Sequence, residues 1–165
     1  MKNSGLGTNE SPVNKTVEWF TPKLVFDSLD IKFNLDPCYP ENLDIPYIPV
    51  NKVYRPSDNG LVQPWEGRVW LNPPFGREIK PWLDKMILHK SGIAITAVRS
   101  DNVWFHNTIR NCDAIYFIRG RIGFLRDGKP IGGGLIVALY AWDNDCVEAL
   151  RNCKLPGTFL MTNNS

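Results

Sequence analysis

The segment VWLNPPFGREIKPWLDKMILHK, residues 69–90, decides how the rest of the chain is read. Val69, Trp70 and Leu71 form the apolar end of a strand. Asn72, Pro73, Pro74 and Phe75 follow, and then Gly76. Proline has no backbone N–H and a fixed φ, so two in succession end a strand ladder. Beyond them Ile79, Trp82, Leu83, Met86 and Ile87 recur at three- and four-residue spacing, which predicts a helix over 77–90. GIAITAV (92–98) then runs continuously apolar, as a strand covered on both faces does. Strand, rigid polar turn, helix and buried strand make one α/β unit.

The flanking sequence extends this alternation. On the amino-terminal side, KFNLD (32–36) and NKVYR (51–55) read as short strands. TPKLVFDSLD reads as a helix capped by Thr21, with Pro22 at its first position. Four prolines interrupt PCYPENLDIPYIPV, and RPSDNGL is turn chemistry. On the carboxyl side, DNVWFHNTIRN (101–111) predicts a helix and AIYFIR (114–119) a strand. Residues 122–142 read as a hairpin that turns at Asp127-Gly128 and returns through Leu135 to Trp142. DNDCVEALRN predicts a last helix and GTFLM a terminal strand. The expected class is α/β: a three-layer sandwich with a mostly parallel sheet and one antiparallel hairpin strand near the C-terminus. Ligands of such sheets bind beyond the carboxyl ends of the strands. Asp36 and Asn72 both end strands and are expected to open onto one crevice.

The 165 residues suffice for one domain, expected over 17–165, with no separate recognition domain. Residues 1–16 are polar, lack the apolar core of a signal peptide, and read as a flexible arm. No apolar run is long enough to span a membrane. A net charge of +2 permits a nucleic-acid partner without requiring one. Cys38, Cys112, Cys146 and Cys153 are scattered, far from His89 and His106, so no zinc-site spacing occurs and no metal is expected.

Asn72, Pro73, Pro74 and Phe75 carry the chemistry. The asparagine carbonyl and the Pro73 carbonyl are acceptors that a rigid turn can converge on one point, with a flat ring beside them. An amino group on a planar ring matches that arrangement, since two acceptors take its hydrogens while Phe75 stacks on the ring. Acceptors directed at both hydrogens localise the nitrogen lone pair and make it a better nucleophile. Direct methyl transfer then needs positioning and preorganised electrostatics. Taken alone, the tetrapeptide also fits a rigid turn with a core phenylalanine; its strand-to-helix context favours the functional reading.

The tetrapeptide resembles the Asn/Asp-Pro-Pro-Tyr/Phe/Trp motif of amino-group methyltransferases that use S-adenosylmethionine. EWFTPKLVFDSLD, FNLDPCYP, SDNGL, WEGRVWLNPPFG and GRIGF, in that order over about residues 18–141, resemble the small phage-type DNA adenine methyltransferases. The resemblance implies a Rossmann-like methyltransferase fold, S-adenosyl-L-methionine as cofactor, DNA as partner and a bacterial cytoplasmic setting. It implies that Asn72, Pro73, Pro74 and Phe75 hold and activate the adenine amine. Asp36, Pro37 and Cys38 would form the donor motif. Thr21 and Pro22, with Trp19 or Phe20, would contact the donor's methionine end. Asp58, Gly60 and Leu61 would lie near its adenine, with Asn59 inserted in that segment.

Two departures stand out. DPCYPENLD has no glycine where the wider methyltransferase pattern has a glycine-rich turn, and NKVYR ends without an acid for the donor's ribose. Asp36, Glu41 or Asp44 would have to compensate. For DNA, the candidates are Arg99, Arg119, Arg121, Arg126 and Lys129, with Arg121 first. The alternative reading is a solvated face. Trp104 and Phe105 are assigned to the core, and GGG (132–134) to hairpin flexibility. Competing readings are a nucleic-acid-binding protein that lost the donor site, and a methyltransferase acting on RNA adenine or protein glutamine.

Overall fold

The structure, a computed structural model, describes residues 19–126, 129–130 and 132–162. The arm over 1–16 and the turn at Asp127-Gly128 lie outside the described residues. In chain order the elements are α1 (Lys23–Leu29), β1 (Phe33–Asp36), β2 (Val50–Val53), a 3-10 turn (Pro56–Asp58), β3 (Val69–Leu71), α2 (Ile79–His89), β4 (Gly92–Ala97), α3 (Val103–Asn111), β5 (Ala114–Ile118), β6 (Leu125–Arg126), β7 (Lys129–Pro130), β8 (Val137–Trp142), α4 (Asn144–Arg151) and β9 (Gly157–Met161).

Seven strands form one mixed sheet in the order β2-β1-β3-β4-β8-β5-β9. β2, β1, β3 and β4 pair in parallel. β8 runs antiparallel to both β4 and β5, which sets β5 parallel to β4; β9 runs antiparallel to β5. Five strands therefore point one way and two the other, where one reversed strand was expected. The hairpin expectation also needs correcting. β8 inserts between β4 and β5, and the segment before it meets residue 122 only through the bridge Ile122↔Leu135. Burial explains this: all six residues of β8 are buried, and only a place inside the sheet covers both its faces. β6 and β7 form a separate two-stranded ribbon.

Side-chain alternation divides the core between the two faces of the sheet. Trp70, Ile93 and Ile95 pack with Val25, Phe26 and Leu29 of α1 and Val147 and Leu150 of α4. Val69, Leu71 and Ala94 pack with Ile79, Leu83 and Met86 of α2 and Phe105 of α3. Helices thus cover both faces. Phe105 is buried and Trp104 half-buried, in line with their assignment to the core.

α1 starts later than expected. Pro22 is its N-cap, and Thr21 makes no capping bond. Thr21 is drawn inward instead: it is 1% exposed, and its backbone carbonyl accepts from the Tyr47 hydroxyl at 2.9 Å. The chain leaves β1 towards β2 on one side, while β3 lies on the other. The order reverses between β1 and β3, and this reversal opens a crevice at their carboxyl ends.

Candidate active site

A cavity of about 600 Å³ occupies that crevice. Asp36 at the end of β1 and Asn72 just past β3 both line it, together with Trp19, Phe20, Thr21, Pro37, Cys38, Gly60, Leu61, Pro73, Pro74 and Phe75. Twelve of the fourteen residues singled out for catalysis and donor binding thus share one cavity. Pro22 and Asp58 are not in its wall. Pro22 caps α1, and the Asp58 carboxylate accepts from the Arg55 backbone N–H at 2.8 Å, closing the 3-10 turn.

Asn72 emerges where β3 stops pairing. Val69, Trp70 and Leu71 face Gly92, Ile93 and Ala94 across the ladder, and the prolines that follow have no N–H to continue it. The Asn72 side-chain NH2 donates to the Trp19 carbonyl at 2.7 Å. A carbonyl only accepts, so this contact orients the amide. Asn72 Oδ1 is left buried with no hydrogen-bond partner. Thr21 Oγ1 is the second such atom in the same cavity wall.

Phe75 is held by two other rings. Trp19 meets it edge-on at 5.8 Å between centroids, and Phe124 does so at 5.6 Å. Phe124 is 1% exposed. It closes the GRIGF segment, in which only Arg121 had been singled out. Reciprocal backbone bonds between Phe20 and Leu125, at 2.8 and 3.0 Å, lock Trp19 and Phe124 into this arrangement.

Asp36 is 3% exposed, and its carboxylate accepts from the Cys38 backbone N–H at 2.9 Å. Burial pushes its pKa up to about 7, against the smaller opposing pull of that hydrogen bond. Burial, with the Asp36 charge beside it, also raises the Cys38 thiol well above its ordinary range, so Cys38 is no thiolate nucleophile at neutral pH. Of the three acids proposed to compensate for the missing ribose ligand, only Asp36 lines the cavity. The Glu41 carboxylate accepts from the Ser57 N–H at 2.9 Å, and Asp44 pairs with Arg55 at 2.6 Å. Arg55 stands in the NKVYR segment that lacks an acid. It bonds the carbonyls of Pro40, Glu41 and Leu43 and lies 5.2 Å over the Tyr39 ring, so the loop over 39–44 wraps around its guanidinium. Arg55 and Tyr39 also line the cavity.

Gly60 explains the inserted Asn59. A Cβ at Gly60 would lie 2.3 Å from the Pro37 carbonyl oxygen, so only glycine lets this loop rest against the turn over 36–38. Asn59 reaches that position through a left-handed conformation at φ 56°, which asparagine tolerates, and it lines the cavity itself. Glu78, Pro81 and Trp82, from the start of α2, complete the wall on that side.

Arg99, Arg119, Arg121, Arg126 and Lys129 are all exposed. Arg99 follows β4, and Arg119 and Arg121 follow β5, at the sheet edge that also carries Asp36 and Asn72. Arg126 and Lys129 face each other on the β6–β7 ribbon. Arg99 pairs with Asp101 at 3.1 Å, and Arg121 reaches the Gly134 carbonyl at 3.3 Å. Among the described residues, no group of three His, Cys, Asp or Glu is placed to hold a metal ion, and no helix is long and apolar enough to cross a membrane.

No curated protein and no solved structure matches the chain. Residues 8–133, more than two thirds of the chain, match the family described as DNA N-6-adenine-methyltransferase (Dam). That stretch contains both the Asn72–Phe75 turn and the Asp36 turn, and the protein belongs to this Dam DNA N-6-adenine-methyltransferase family.

Proposed function

We propose that this protein transfers a methyl group from S-adenosylmethionine to the exocyclic amine of adenine in DNA, with the target base turned out of the stack into the cavity beside Asn72 and Phe75. The observation that carries this reading is the committed amide of Asn72. Its NH2 is bonded to Trp19, and its buried oxygen lacks a partner. A buried acceptor without a donor costs free energy in the free protein, and an amine entering the cavity removes that cost. The Pro73 carbonyl is the second acceptor. Together they localise the amine lone pair, while Phe75, kept upright by Trp19 and Phe124, offers the stacking face.

The cavity also suits the methyl donor. Its volume lies within the range of small-molecule sites. Thr21, with its unpartnered hydroxyl, Asp36, Pro37, Cys38, Gly60 and Leu61 are the residues that would hold it. When bound, S-adenosylmethionine supplies an electrophilic methyl on a cationic sulfur. Asp36 gives the pocket a carboxylate complementary to a cation, and the surrounding aromatic and proline rings exclude water. The exposed cations at the carboxyl edge would track DNA phosphates.

The test is transfer of labelled methyl to unmethylated duplex DNA, with N6-methyladenine read in the digest. Asn72→Ala is expected to lower transfer by about 10²- to 10³-fold, the scale of removing one preorganised group at a reacting centre, while the protein stays folded. Undiminished transfer in that variant would remove Asn72 from the mechanism. Donor binding with label entering only RNA or protein would move the acceptor. Absence of donor binding would favour a DNA-binding protein that has lost the donor site.

A further inference from the structure

We propose that Lys85, which stands outside the cavity wall, is a positioning residue that sets the donor-side loop of the cavity; this rests on the donor site proposed above. Lys85 projects from the middle of α2, the helix that follows the Asn72–Phe75 turn. Its ammonium donates to the carbonyls of Gly60 at 3.3 Å, Leu61 at 2.7 Å and Gln63 at 2.5 Å. Three donors thus meet three acceptors. The ammonium also lies 4.9 Å over the Trp65 ring, whose Nε1–H donates to the same Gly60 carbonyl at 2.8 Å. Trp65 stacks on Trp82 at 6.4 Å, and Trp82 belongs to the cavity wall.

Carbonyl dipoles converging on one point repel each other, and here the Lys85 ammonium offsets that repulsion. Gly60 and Leu61 line the cavity through this loop, and Gly60 packs so closely on Pro37 that a Cβ would clash with its carbonyl. Lys85 therefore joins the helix carrying the acceptor turn to the loop facing the donor. Removing the charge while keeping the stem leaves half-buried carbonyls facing one another, and the loop must rearrange. The acceptor turn lies at the other end of this linkage and keeps its Trp19 and Phe124 contacts.

The experiment measures donor Kd by calorimetry, and KM for donor and kcat by labelled transfer, in the wild type, Lys85→Met and Lys85→Arg. Lys85→Met is expected to raise donor Kd and KM at least tenfold, with kcat at saturating donor within about twofold. Lys85→Arg, which keeps the charge on a differently shaped head, is expected to fall between. Asp143→Ala, a distant cap variant, controls for general destabilisation and is expected to keep the wild-type Kd. Wild-type donor affinity in Lys85→Met, an equal loss in Asp143→Ala, or a fall in kcat at constant KM would each overturn the proposal. If the wild type binds donor without methylating DNA, the DNA reading fails while the Kd series still decides Lys85. If it binds no donor, both are overturned.

Discussion

At Asn72 the two ends of one amide are put to different uses. The NH2 donates to the Trp19 carbonyl, and the oxygen is buried without a partner, the acceptor that the proposed mechanism offers to the target amine. Asp36 is held at a cost to stability. Its folded pKa of about 7 lies above the ordinary 3.8, so the fold disfavours the charged form. Its contribution to stability is fully present below pH ~4 and is lost as the pH rises through about 7. Asp36→Asn is therefore expected to be more stable than the parent at pH 8, by up to about 4 kcal/mol, with the gap closing below pH 4. Thermal melts of both proteins across that range check it; a gap independent of pH would show that Asp36 ionises as freely in the fold as outside it. The same variant should bind donor less tightly, a trade of function for stability.

At the scale of elements, β3, the Asn-Pro-Pro turn and α2 act as one device. The strand anchors the turn, the prolines stop the ladder, and the helix covers the strand. Pro81 is tolerated because it stands in the first turn of α2, where backbone N–H groups have no intrahelical partner. The β8–α4 junction is a second device, built for stability. Asp143 sits at φ 76° and caps α4 by accepting from the Cys146 N–H at 2.9 Å, while the Ser91 hydroxyl donates to it at 2.7 Å. Asp143→Ala loses the cap and keeps the backbone strain, with an expected cost of about 1–2 kcal/mol. Asp143→Gly relieves the strain and should cost less. Urea titrations of the two variants rank them, and a glycine variant weaker than the alanine one would contradict the strain argument.

At the scale of the molecule, parallel β1, β3, β4 and β5 deliver their carboxyl ends to one edge, so the cavity and the exposed arginines share it. Under the proposed function, this geometry would let phosphate binding and base capture act together. Replacing Arg119 and Arg121 by alanine is expected to weaken DNA binding for all sequences. The slope of log K against log salt should become shallower by about 0.9 for each phosphate that is no longer neutralised. Donor affinity should not change. Fluorescence anisotropy over a salt series measures the slope, and an unaltered slope would return these arginines to a solvated face.

What the sequence determined by itself was local. The three- and four-residue spacing marked α2, apolar runs marked β3 and β4, proline marked the end of β3, and the Asn72–Phe75 tetrapeptide carried the chemical signal, because each is written in neighbouring residues. Strand ends also placed Asp36 and Asn72 in one crevice, since parallel strands share a direction. Tertiary structure decided the rest. Trp19 and Asn72 are 53 residues apart, and Phe124 and Phe75 stand in different parts of the chain, so no spacing announces their contacts. The apolar run of β8 was visible, but not its place between β4 and β5; the hairpin signal at Asp127-Gly128 is met by the short β6–β7 ribbon on either side of it, while β8 runs on into the main sheet. Thr21 had the chemistry of a cap, yet burial against Tyr47 turned it into the cavity wall. Pairings between distant segments are chosen by the total surface they bury, a property of the folded whole that no single window of sequence contains.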